Sequence, residues 1–111
     1  MVEYYSSTLD HVFAAVADPT RRAILAGLSK KPATVGEIAR PFRMSLNAVS
    51  KHIKTLERAG LIRREVVGRR HYCRLEPRPL RQATAWLERQ RAFWESRLDA
   101  LERHIGAARK R

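Results

Sequence analysis

Asn47, Ser50, Lys51, Lys54, Thr55 and Arg58 fall on one side of a helix between Met44 and Leu61, and Leu46, Val49, Ile53 and Leu56 make a narrow apolar stripe on the other. Short hydroxyl and amide groups beside cations are the side chains that hydrogen-bond to base edges and neutralise phosphates. The chemistry implied is recognition of duplex DNA. His52 adjoins the apolar stripe and is read as a half-buried packing residue or phosphate contact. Ser45 is a natural N-cap and Gly60 a natural C-terminal stop, so both ends of this recognition helix are marked.

The next segment adds more cations on a different scaffold. Leu61 to Val67 and Arg70 to Leu75 are rich in β-branched, aromatic and Arg residues and are split by Gly68-Arg69. That pair suits a two-residue hairpin turn with Gly first. Arg63, Arg64, Arg69, Arg70 and Arg74 would bring up to five guanidinium groups to one hairpin, able to pair with phosphates or enter a minor groove.

The elements that must position these groups are mostly helical. Leu9, Val12, Phe13 and Val16 predict a first amphipathic helix from about Ser7 to Ala17. Asp18 is the N-cap, and Pro19 the first residue, of a second helix running to about Leu28 and burying Ala23, Ile24, Leu25 and Leu28. Thr34 and Glu37 form a capping-box pattern for a short third helix with Val35, Ile38, Ala39 and Phe42 as apolar positions, which Pro41 should end or kink. Arg43-Met44 is the expected tight connection into the recognition helix, completing a helix-turn-helix over about 34–60 with a hairpin wing over about 61–75. From about Pro79 to Ile105 no Gly or Pro interrupts a last helix, whose Leu80, Ala83, Leu87, Phe93, Trp94, Leu98, Leu101 and Ile105 keep helical spacing. A helix of ~40 Å is too long for a core of this size to cover. Part of its aromatic area, including Trp86, Phe93 and Trp94, is therefore expected to meet a second copy of the chain across a two-fold axis.

Composition points the same way. The chain has 111 residues, enough for one domain spanning 1–111, and a formal net charge of +12. Residues 1–39 are neutral overall, with four cations against four carboxylates. Residues 40–74 carry ten against two, a net +8, and residues 75–111 nine against five, a net +4. The positive field thus centres on the helix-turn-helix and hairpin, as expected where a surface follows a phosphate backbone. The basic segment lacks the aromatic face of a membrane-surface helix, no apolar run approaches the ~20 residues of a bilayer span, and there is no signal-peptide pattern, so a cytoplasmic location without a membrane partner is expected. A single cysteine agrees with a reducing compartment.

The runs Ala17-Asp18-Pro19-Thr20-Arg21-Arg22-Ala23-Ile24-Leu25, Ser45 with Ser50 through Ile62, and Gly68-Arg69-Arg70 resemble the ArsR family of bacterial winged-helix repressors. The resemblance covers nearly the whole chain. It implies a mainly α fold with a small β-hairpin, in which the first and last helices form the dimer interface and the protein represses transcription by occupying operator DNA. It places Leu9 and Phe13 of the first helix and Leu87, Trp94, Leu98, Leu101 and Ile105 of the last in that interface. DNA-contacting positions are then Ser45, Asn47, Ser50, Lys51, His52, Lys54, Thr55, Arg63, Arg69 and Arg70. The likeness is greatest to a subgroup marked by Arg-Pro-Phe (residues 40–42), Trp-Leu-Glu (86–88) and Phe-Trp (93–94), whose members are often encoded beside a START-like ligand-binding protein and frequently carry Pro where this chain has Asn47.

Metal sensing, the best-known role of that family, is not expected. The chain lacks the Cys-x-Cys pair of arsenic-type sensors, and Leu101 stands where zinc-type sensors need a histidine after Asp99, although Glu102 and His104 are present. His71 and Cys73 can face one way along a strand, but two ligands do not hold Zn²⁺. No cofactor is expected, and no effector is identified by the residues. Redox response at Cys73 would need an exposed thiolate of lowered pKa. Serines, histidines and aspartates occur in no nucleophile elbow, P-loop or zinc-hydrolase spacing, so an enzyme is not expected either. The remaining alternative, a DNA-coating protein of nucleoid type, shares the basic charge but does not require a capped helix of base-reading side chains.

Overall fold

The computed structural model describes residues 2–109, with side chains placed from residue 8 onward. Its elements are α1 (Val2–Val16), α2 (Pro19–Leu28), α3 (Val35–Ala39), α4 (Leu46–Arg58), β1 (Ile62–Val67), β2 (Arg70–Leu75) and α5 (Arg78–Arg109). Two helices are longer than the sequence pattern suggests. α1 begins at Val2 rather than Ser7, since no Pro or Gly stops it earlier. α5 continues past Ile105 through Gly106, whose cost inside a helix is only about 1 kcal/mol.

Local signals fix the shorter elements. The Asp18 carboxylate accepts the Arg21 N–H at 2.9 Å and starts α2. Thr34 and Glu37 close a reciprocal capping box at α3, the Thr34 hydroxyl accepting the Glu37 N–H at 3.2 Å and the Glu37 carboxylate accepting the Thr34 N–H at 3.0 Å. Ser45 caps α4 by accepting the Ala48 N–H at 3.1 Å. At the other end Gly60 takes φ +75°, Leu61 N–H reaches Leu56 C=O at 2.9 Å and Gly60 N–H reaches Glu57 C=O at 2.9 Å. This is the paired-bond termination that needs a left-handed residue, and it turns the chain directly into β1. The α3–α4 connection spans residues 40–45, longer than the Arg43-Met44 turn expected, because Pro41 ends α3 early.

β1 and β2 pair antiparallel, from Ile62 opposite Leu75 to Val67 opposite Arg70, leaving the expected two-residue Gly68-Arg69 turn. Gly68 has φ +65° and Arg69 does not have positive φ, the pattern of a type II′ turn. Ala33 and Cys73 exchange N–H···O=C bonds at 3.1 and 2.7 Å, tying the chain two residues before α3 to the hairpin.

One core joins the helices to the base of the hairpin. Ala15 of α1, Ile24, Leu25 and Leu28 of α2, Ile38 of α3, Val49, Ile53 and Leu56 of α4, and Leu61, Ile62 and Cys73 are buried together. Two expected core residues are not in it. Ala23 is exposed, because the inner face of α2 is narrow enough to be filled by Ile24, Leu25 and Leu28. Leu46 is 56% exposed, because the first turn of α4 overhangs the core. α1 packs on α2, α4 and α5, with the Phe13 ring edge-on to Trp86 at 5.7 Å between centroids. Beyond Trp86, α5 leaves the core and gives the chain its 74 Å long axis.

Candidate nucleic-acid interface

α4 is two-faced in the structure as well as in sequence. Val49, Ile53 and Leu56 are fully buried, so the helix cannot rotate without opening the core, and that fixes which residues look outward. Asn47, Lys51, Lys54 and Arg58 are exposed, and Ser50 and Thr55 half-exposed. Not all hydroxyls are equally free. Ser45 already accepts the capping N–H, and the Thr55 hydroxyl donates to Lys51 C=O at 3.1 Å, which leaves its lone pairs to accept. Ser50 makes no hydrogen bond of this kind among the described residues.

The hairpin arginines separate into two groups. Arg64 donates to the Glu57 carboxylate of α4 at 2.9 Å, a bond that holds its guanidinium charged and couples the wing to the end of the recognition helix. Arg74 pairs with Glu65 across the ladder. Arg63, Arg69 and Arg70 are exposed and form no ion pair among the described residues. The five guanidinium groups expected to act together are therefore three free and two engaged, a division set by which carboxylate lies across the strand or helix.

His52 is placed differently from its neighbours. Its side chain is 23% exposed and its Nδ1 lies 3.2 Å from the Arg21 guanidinium and 3.9 Å from the Asp18 carboxylate, so this ring belongs to the α1–α2 junction as much as to the outward face. His71 and Cys73 share a hairpin face, yet His71 is exposed and Cys73 fully buried. Burial pushes the Cys73 thiol above the ordinary cysteine range, the opposite of what a reactive thiolate needs. Among the described residues, no three His, Cys, Asp or Glu side chains converge as metal ligands. No described helix is long and apolar enough to cross a membrane.

A second surface lies on α5. Leu87, Trp94, Leu98, Leu101 and Ile105 are all exposed, Trp94 by 59%. Their spacings of seven, four, three and four residues form a continuous seam of the kind that packs against another helix. Phe93 flanks it, edge-on to Trp94 at 5.6 Å and covered by the Arg97 guanidinium at 4.7 Å. Leu9 and Phe13 of α1 are half-buried.

Residues 16–65, which hold α2, α3, α4 and the start of the hairpin, match a family model described as a helix-turn-helix domain. The chain is 40% identical over 85 residues to the HTH-type transcriptional regulator Rv2034 of Mycobacterium tuberculosis, covering 77% of each protein. A crystal structure of the ArsR family transcriptional regulator RHA00566 is 47% identical and superposes with a TM-score of 0.75 over 82% of this chain and 94% of that one. The chain belongs to the ArsR family of winged helix-turn-helix transcriptional regulators. The transcriptional repressor SdpR of Bacillus subtilis is 34% identical to this ArsR-family protein over 79 residues, 71% of this chain and 88% of that one.

Two features of this ArsR-family chain escaped the sequence pattern. Leu46 fits the apolar periodicity but stands exposed between Ser45 and Asn47 at the start of α4, where an apolar group can touch a thymine methyl. Arg40 and Arg43 are exposed on the α3–α4 connection and extend the cationic surface. The exposure of Arg40 follows from Pro41 ending α3, a signal present in the sequence; nothing local marks Leu46.

Proposed function

We propose that this regulator binds a two-fold symmetric operator as a homodimer and represses transcription by occupying it. α4 enters the major groove, where Asn47, Ser50 and Lys51 meet base edges and Ser45, Lys54, Thr55 and His52 hold the flanking backbone. The wing follows with Arg63, Arg69 and Arg70 on phosphates or in the minor groove. The seam of α5, with Leu9 and Phe13 of α1 behind it, joins two copies and sets the distance between their recognition helices. The protein acts in the cytoplasm by binding and carries out no reaction. One observation supports this most: α4 is locked by three fully buried side chains while its outward face, apart from Leu46 in the first turn, is polar and cationic.

Base-reading and backbone residues respond differently to truncation. Lys51→Ala and Ser50→Ala are expected to weaken operator binding more than binding to random duplex, by ~1–3 kcal/mol of discrimination each. Arg69→Ala and Arg70→Ala are expected to weaken both duplexes by similar factors and to reduce the slope of log affinity against log salt by about one each. Titrations on the two duplexes at several salt concentrations test both statements. Equal losses for the α4 variants, or unchanged salt slopes for the wing variants, contradict the assignment.

A further inference from the structure

We propose that Arg21 is a positioning residue for operator recognition, fixing the recognition helix to the dimer-forming first helix through the unprotonated Nδ1 of His52. This rests on the operator reading above and adds the device that orients α4 within the dimer.

Arg21 lies in the first turn of α2, where its own N–H is held by Asp18 at 2.9 Å. Its half-buried side chain turns back onto α1. Nε donates to Ala15 C=O at 2.7 Å and one terminal nitrogen to Ala14 C=O at 2.9 Å. These carbonyls belong to the last turn of α1, where helix geometry leaves acceptors short of partners; Ala14 C=O also accepts the Ala17 N–H at 3.3 Å. The other terminal nitrogen reaches Nδ1 of His52 on α4 at 3.2 Å. A guanidinium only donates, so Nδ1 accepts and the ring proton sits on Nε2. One rigid planar group thus spans three helices. Arg22 makes a comparable bond to Val16 C=O at 2.7 Å, while Arg21 alone of the two carries the link to α4.

The linkage runs further. α1 packs on α5 through Phe13 and Trp86, so the contacts continue from the seam of α5 to α1, Arg21, His52 and α4. In a dimer, rotation of α4 relative to α1 changes the separation of the two recognition helices, which must match about one DNA turn, ~34–36 Å, or a multiple. A lost link should therefore harm operator binding more than binding to any duplex.

The test compares a duplex selected from a random pool with a scrambled duplex of the same composition, using the purified full-length protein and recording melting temperature alongside. Arg21→Ala and His52→Ala should each lower the ratio of the two affinities about tenfold, and the double variant should lose no more than either single one. Arg21→Lys, which offers a point donor in place of a fork, should also lower it. Additive losses, or equal losses on both duplexes, would overturn the proposal. A wild-type protein that fails to tell the duplexes apart would instead overturn the operator reading.

Discussion

Trp94→Ala is expected to separate the protein into monomers at micromolar concentration and, with them, to lose about a hundredfold in operator affinity. The indole is exposed in a single chain, so its removal opens no cavity there and the fold of each copy should survive. In the proposed dimer Trp94 lies within the α5 seam as its anchor, and truncating such a tryptophan typically costs ~2–4 kcal/mol, or ~30- to 1,000-fold in the dissociation constant. Sedimentation velocity across a concentration series and an operator titration on the same sample check both halves. A stable dimer with full operator affinity would show that α5 meets its partner elsewhere.

Ile53→Ala is expected to act through stability instead. Ile53 is fully buried on the inner face of α4 and belongs to the cluster joining α1, α2, α3, α4 and the base of the hairpin. Truncation there leaves a cavity beneath the recognition helix, at a cost of ~2–5 kcal/mol. For a chain of this size the melting temperature should fall by roughly 10 °C or more. Thermal unfolding followed by circular dichroism measures it, at fixed protein concentration because dimerisation adds to apparent stability. Lys51→Ala is the matched control: its side chain is exposed, so it should melt within about 1–2 °C of the wild type while losing operator discrimination. A melting temperature unchanged in Ile53→Ala would mean that α4 is not anchored as described.

What could be read from the chain depended on the range of the interaction. Asp18-Pro19, the Thr34–Glu37 box, Ser45, Gly60 and Gly68-Arg69 act within a few residues, and the helix ends and hairpin turn occur where they place them. The α5 seam was legible because its spacing is periodic. Leu46 was not, because periodicity reports which side of a helix a residue occupies and not whether anything covers it there. The engagement of Arg64 by Glu57 and of Arg74 by Glu65 depends on a ladder register and a helix–strand approach that no local signal encodes. The bridge from Arg21 to His52 joins residues 31 positions apart, and Asp18-Pro19-Thr20-Arg21 reads from sequence only as a helix start.

The central claim is that α4 reads bases in two copies at once, and selection of bound duplexes from a random pool tests it most directly. The account predicts recovery of a two-fold symmetric sequence, with half-sites about one helical turn or a multiple apart, bound at least about 10³-fold more tightly than random duplex. Recovery of no consensus, with affinity that tracks salt alone, would contradict it and leave a basic protein that coats DNA without reading it.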